Sequence, residues 1–175
     1  YKMKKLLVLF LGGTLLLSSC GKDKKNDSDV PHEEVVAKDN FSIVLNAIYE
    51  KDDELSFVYK KNGYWDYDHP TKYAVKGQPN SQMVNVPFPL GEKCDNIQVD
   101  VSTNKEQKVL KLTDISILNN GKEIVNGRNM AFIKYFNFGT AFTWDEKNLR
   151  YNLLFDQEYP PRIVGSDALE AILAK

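Results

Sequence analysis

The sequence predicts an all-β domain: a β-sandwich of about nine short strands followed by one short C-terminal helix, over residues 40–175. Three observations lead there. Apolar residues mostly recur at a period of two, the period of a strand with one buried face. Turn signals recur every 8 to 15 residues. No long-period repeat, phosphate loop, zinc-ligand spacing or nucleophile elbow interrupts the pattern.

The elements follow in order. Phe41, Ile43, Leu45, Ala47 and Tyr49 alternate, then Leu55, Phe57 and Tyr59 after the charged turn Asp52-Asp53-Glu54. Lys61-Asn62-Gly63 reads as a tight turn, since Asn-Gly accepts the positive φ a short hairpin needs. Tyr73–Lys76 is a short strand ended by Gly77. Val84, Val86, Phe88 and Leu90 alternate with Pro87 and Pro89, which places that strand's end at a sheet edge or off the sheet. Ile97, Val99 and Val101 form the next strand. In Gln107–Leu118, Leu110 and Leu112 set one phase and Ile115 and Ile117 the other. A bulge near Thr113-Asp114 reconciles the two. Asn119-Asn120-Gly121 is a turn, and Met130–Phe136 reads as a dense apolar strand, a candidate central one. Thr140–Trp144 and Leu149–Phe155 pair as a hairpin around Asp145–Asn148, which Pro160-Pro161 stops. Ser166 is an N-cap candidate for a helix through Leu173.

Upstream of the domain lies a segment of different character. Lys2, Lys4 and Lys5 precede Leu6–Leu17, an apolar or small-residue run too short for a bilayer core, which takes about 20 residues. Met3 reads as the start, with Tyr1-Lys2 left over ahead of it. The run ends in Leu17-Ser18-Ser19-Cys20, which resembles the bacterial lipobox. The resemblance implies a lipoprotein signal peptide over 1–19, removed just before Cys20, and diacylglycerol and palmitate-type chains on that residue. Such a protein stays on a membrane through its lipid, because two or more acyl chains suffice for stable anchoring. Gly21 after the cysteine fits the outer membrane of a Gram-negative bacterium, facing the periplasm or the surface. Residues 20–39 then form a tether: ten of the nineteen residues after Cys20 are charged and none is aromatic, so the segment buries too little to offset its ordering entropy. Its charges also suit a surface-sorting signal, and His32 within it is expected in water.

Composition narrows the function. Without residues 1–19 the chain holds 20 basic and 24 acidic residues, a weakly acidic balance that argues against a nucleic-acid partner. Cys94 is the one thiol left beside Cys20, so no internal disulfide is expected, nor a catalytic thiol, with His69 the one histidine of the domain. Cys94 is instead expected as a small residue at a strand start.

Val75-Lys-Gly77, Gln82, and Val84, Val86, Phe88 and Leu90 resemble a motif of jelly-roll accessory domains, the galactose-binding-like sandwiches of bacterial surface lipoproteins and membrane glycosyltransferases. Ile97-Gln-Val-Asp100-Val and the Gln107–Ile117 pattern continue the resemblance, which spans roughly residues 41–136. This sequence departs from the motif at Gln98, where a basic residue is usual, and at Pro89-Leu90, where the order is reversed. The resemblance implies a jelly-roll-like fold and carries no catalytic residue.

The stretch Asn62-Gly-Tyr-Trp-Asp-Tyr-Asp-His-Pro70 is the densest chemistry in the chain. If extended, it puts Tyr64, Asp66 and Asp68 on one side and Trp65, Tyr67 and His69 on the other. One reading sends Trp65 and Tyr67 into the core. Another makes Tyr64, Trp65, Asp66, Tyr67 and Asp68 a sugar site, with rings to stack on C–H faces and carboxylates to accept hydroxyl hydrogen bonds. A calcium site at Asp66 and Asp68 lacks the six to eight oxygens required. A glycosidase pair needs carboxyls facing each other across a bond. The expected protein is therefore a non-catalytic, glycan-type binding module with no cofactor and no metal; the alternative is an accessory subunit of an envelope or outer-membrane transport complex. Of the two rings, Tyr67 is expected to be the exposed one, its hydroxyl in water.

Overall fold

Strand β1 (Phe41–Tyr49) is the spine of the first of two sheets in the computed structural model, which describes residues 39–175. The signal peptide, Cys20, His32 and the tether as far as residue 38 lie outside the described residues. In chain order there follow β2 (Asp53–Lys61), β3 (Tyr64–Trp65), β4 (Thr71–Val75), β5 (Gln82–Pro87) and β6 (Cys94–Asp100). Next come β7 (Val109–Asn119), β8 (Lys122–Val125), β9 (Phe136–Phe138), β10 (Phe142–Asp145), β11 (Arg150–Leu153) and β12 (Arg162–Gly165), then helix α1 (Asp167–Leu173). The first sheet runs β10-β11-β7-β1-β5, with β8 also on β7; the second runs β3-β2-β6-β12-β9, with β4 also on β2. Every pairing is antiparallel, and the two sheets form the expected sandwich.

The alternating residues are the core. Ile43, Leu45, Ala47 and Tyr49 of β1, Leu110, Leu112, Ile115 and Ile117 of β7, and Val84 and Val86 of β5 are buried. They pack in one cluster with Leu55, Phe57 and Tyr59 of β2, Ile97 and Val99 of β6 and Ile163 of β12. Two tyrosines tie the sheets together. Tyr49 Oη donates to the Val101 carbonyl at 2.8 Å, and Tyr59 Oη to the Pro87 carbonyl at 3.2 Å. Burial pushes the Tyr59 phenol up to about 12 and raises that of Tyr49 well above its ordinary value, so both remain donors.

The bulge lies where the phase change puts it. Asn46 faces Asp114 and Ala47 faces Leu112, leaving Thr113 as the extra residue. Both Asn-Gly turns are left-handed at each residue: Asn62 and Gly63 at φ 50° and 83°, Asn120 and Gly121 at 51° and 77°. Pro87 ends β5, an edge strand as expected, and Gln82 clamps the turn before it through the Lys76 N–H and carbonyl. Cys94 is buried at the start of β6.

Three features differ from expectation. Among the described residues there are twelve strands; β3, β8 and β12 are two to four residues long, too short for a period to show. Met130–Phe136 is not a strand. The Asn126 side chain accepts from Arg128 N–H, Asn129 and Met130 are left-handed, and Ala131–Lys134 winds into a 3-10 turn. Only Phe136–Phe138 is extended, as the edge strand β9. Phe132 is fully buried while its neighbour Ile133 is exposed. Finally, Ser166 stands at the helix N-cap as expected, but its hydroxyl donates to the Lys134 carbonyl at 3.1 Å and does not cap the helix.

Phe132→Ala should destabilise the domain by about 3–5 kcal/mol, whereas Ile133→Ala should stay within about 0.5 kcal/mol. Denaturant melts decide; equal losses would put the 3-10 turn the wrong way round.

Candidate functional site

The Asn62-Gly63 turn throws the chain out from β2 and brings it straight back as β3, with Lys60 facing Trp65 and Lys61 facing Tyr64. Gly63 N–H donates to Asp95 Oδ2 at 2.8 Å, which fixes the tip. Beyond β3 the ladder breaks, and Asp66 takes over. Its N–H donates to the Tyr59 carbonyl at 3.0 Å. Its carboxylate accepts from Lys61 Nζ at 3.2 Å and lies 2.8 Å from His69 Nδ1. These contacts, His69 first and Lys61 second, hold the Asp66 carboxyl below the usual carboxylate range. Asp66 is therefore a pin for the 64–70 arm rather than a free acceptor. Asp68 and His69 are exposed.

None of the three rings enters the core. Tyr64 is 81% exposed and Tyr67 56%; Trp65 is half-buried. Trp65 and Tyr67 are neighbours, with ring centroids 6.4 Å apart and planes 34° from parallel, but the segment turns after Trp65 instead of staying extended, so His69 meets Asp66 rather than sharing a side with the rings. Tyr67 is the more exposed of the pair, but its hydroxyl is not free in water. Tyr67 Oη donates to Gln98 Oε1 at 3.3 Å, Gln98 Nε2 donates to Asp100 Oδ1 at 3.0 Å, and Arg162 Nε donates to the same oxygen at 3.3 Å. Burial raises the Asp100 carboxyl, and the Arg162 guanidinium opposes the rise. Tyr67 thus leans on a polar row along the face of the second sheet away from the core.

No family model, no curated protein and no solved structure matches this chain.

The arrangement must therefore be read from its own chemistry. Among the described residues no three His, Cys, Asp or Glu side chains gather as metal ligands would. Burial pushes the Cys94 thiol up to about 11, which keeps it protonated near neutral pH. The site brings together Trp65 and Tyr67 as surface rings, leaves Tyr64 exposed ahead of them, and sets Asp66 apart as their support. Sequence reasoning missed Gln98, Asp100 and Arg162 beneath Tyr67. The alternation in β6 shows that Gln98 and Asp100 point away from Val99; nothing in the sequence shows which loop covers them.

Two measurements test this geometry. Tyr67→Ala should cost under about 1 kcal/mol and Trp65→Ala about 1–2, below the 3–5 expected of a core aromatic; thermal melts showing a core-sized loss for both would refute the exposed arm. A depressed carboxyl contributes order above its unfolded value and loses that contribution as pH falls through its lower folded value. The Asp66 carboxyl should accordingly titrate by NMR below a free aspartate, and His69→Ala should move its midpoint up; no movement would remove His69 as the main cause.

Proposed function

We propose that this chain is a non-catalytic binding module that captures a glycan, held at the outer membrane by lipid on Cys20. The observation that carries the reading is the pair of rings at Trp65 and Tyr67, neighbours at 6.4 Å, part-exposed and on an arm pinned by Asp66. Sugar rings present apolar C–H faces that stack on flat aromatics, and a pinned arm loses little freedom on binding. Tyr64 and Asp68, both exposed, offer a further ring and a carboxylate for hydroxyl groups. The anchor rests on the lipobox-like Leu17–Cys20 stretch. A second reading, an accessory subunit that docks onto an envelope complex, draws support from an open edge of the first sheet.

A glycan array probed with the full chain should retain a defined class of sugar, and Trp65→Ala should weaken retention by about tenfold or more while leaving the fold intact. Retention that ignores Trp65, Tyr64 and Tyr67 alike would rule the arm out as the site. For the anchor, intact mass of the cell-expressed protein should show acyl chains on Cys20, and Cys20→Ala should leave uncleaved precursor; a lipid-free mature chain would overturn it.

A further inference from the structure

In each sheet one long strand carries two short neighbours along a single edge. In the second sheet β2 pairs with β4 through Asp53–Phe57 and with β3 at Lys60 and Lys61. The chain itself fills the gap between them, where Asp66 N–H reaches the Tyr59 carbonyl. In the first sheet β7 pairs with β11 at Val109 and Leu110 and with β8 from Ile117 onward. Part of that gap is closed too: Gly127 lies so close over Ile115 that a Cβ there would overlap the Ile115 carbonyl, and Gly127 N–H donates to Ser116 Oγ at 3.0 Å. The remainder, Lys111, Leu112 and Thr113, has no strand of the described residues beside it on that edge and lines a slot of about 220 Å³.

The walls of the slot are Trp144 and Leu149, from the β10–β11 hairpin, and Asn129 and Met130, ahead of the 3-10 turn. Among the described residues five non-glycine positions have positive φ. The two that are not asparagine, Met130 at 65° and Leu149 at 51°, both stand here. A left-handed backbone costs a bulky side chain energy, and such strain collects at clamps for ligands. Trp144 is 41% exposed and Leu149 58%. Trp144 is held edge-on to Tyr151 at 4.9 Å, and Tyr151 stacks on Phe138 at 4.9 Å and 20°. A row of packed rings thus backs an open one.

Size and chemistry select the occupant. Small-molecule sites usually enclose about 300–1,000 Å³, so this slot suits one large side chain better than a whole ligand. An open strand edge calls for alternating N–H and C=O groups, which an extended peptide supplies. Among the described residues Lys111 makes no ion pair, so the slot's cation favours an acidic flank. We infer that this slot receives one large apolar side chain of an acidic, extended segment of a partner protein, which adds as a strand beside Lys111–Thr113 between β11 and β8.

The test titrates the full chain against a fluorescein-labelled seven-residue peptide with a central phenylalanine, flanked by valines and then aspartates, read by fluorescence polarisation. Binding is expected, and should weaken by about tenfold or more when the central phenylalanine becomes alanine or when Trp144→Ala removes the wall. N-methylation of the peptide backbone should abolish it. Lys111→Glu, a substitution at an exposed position, keeps the test decisive even if Trp144→Ala fails to fold: it should reverse the preference toward a peptide flanked by lysines. Undiminished binding of the N-methylated peptide would exclude strand addition, and no binding at millimolar peptide would overturn the proposal. Phenylacetate displacing the peptide with equal affinity would make the slot a small-molecule site instead. Because Trp65, Tyr64 and Tyr67 take no part, failure here and failure of the glycan reading are separate results.

Discussion

One extra residue in one strand organises the first sheet. Side chains alternate strictly along a strand, so without Thr113 either Leu110 and Leu112 or Ile115 and Ile117 would face water. With it, all four are buried. The bulge is fixed by polar contacts on both strands. Thr113 Oγ1 donates to the Asn46 carbonyl at 3.0 Å, and the buried Asp114 carboxylate accepts from Asn46 Nδ2 at 3.2 Å and from Ser116 Oγ at 2.6 Å. A buried carboxylate left without donors would cost several kcal/mol, so Asp114 commits Asn46 and Ser116 to their places. Ser116 in turn holds Gly127, and Gly127 starts the chain toward the 3-10 turn that buries Phe132. From a single inserted residue the geometry runs outward to the margin of the sheet.

Bulges also bend strands and end pairings, and both sheets show the consequence. On one edge each long strand outlasts either of its short partners, so each has a stretch where two short strands fail to meet. The second sheet seals its stretch with Asp66. The first seals half of its own with Gly127 and leaves Lys111–Thr113 lined by apolar walls. Open edges invite pairing with other chains, and proteins commonly cover or charge them. Pro87 limits β5 at the opposite margin.

The sequence was most legible where burial is one-sided. Period-two runs locate β1, β2, β5, β6 and β7, the phase slip locates the bulge, and Asn-Gly locates both tight turns, because each depends on residues close in sequence. It was least legible where distant contacts decide. Met130–Phe136 is apolar enough for a strand, yet Asn126 and Asn129 favour local turns, and only the packing of Phe132 beneath β7 selects the 3-10 turn. Strand β12 follows Pro160-Pro161, which reads as a stop; its place between β6 and β9 rests on Ile163 facing Val99 and Phe138. At the aromatic arm, the residue types were readable in advance, but the alternation was not, because the segment turns after Trp65. Nor was the pinning role of Asp66, because Lys61 and His69 lie near it in sequence without their geometry being implied.

The two candidate surfaces rest on different forces. The arm is held by polar contacts: Asp66 between the Lys61 ammonium and the His69 ring, Lys61 also reaching Glu92, and Asp100 against Arg162 beneath Tyr67. Exposed ion pairs are worth little singly and weaken as salt screens them, so the order of the arm should follow ionic strength and acidity. The slot is held by packed rings and strained backbone, and apolar burial grows stronger, if anything, in salting-out conditions. Rising salt therefore loosens the arm, while at the slot it weakens the pull of Lys111 on an acidic flank and leaves the apolar contact in place.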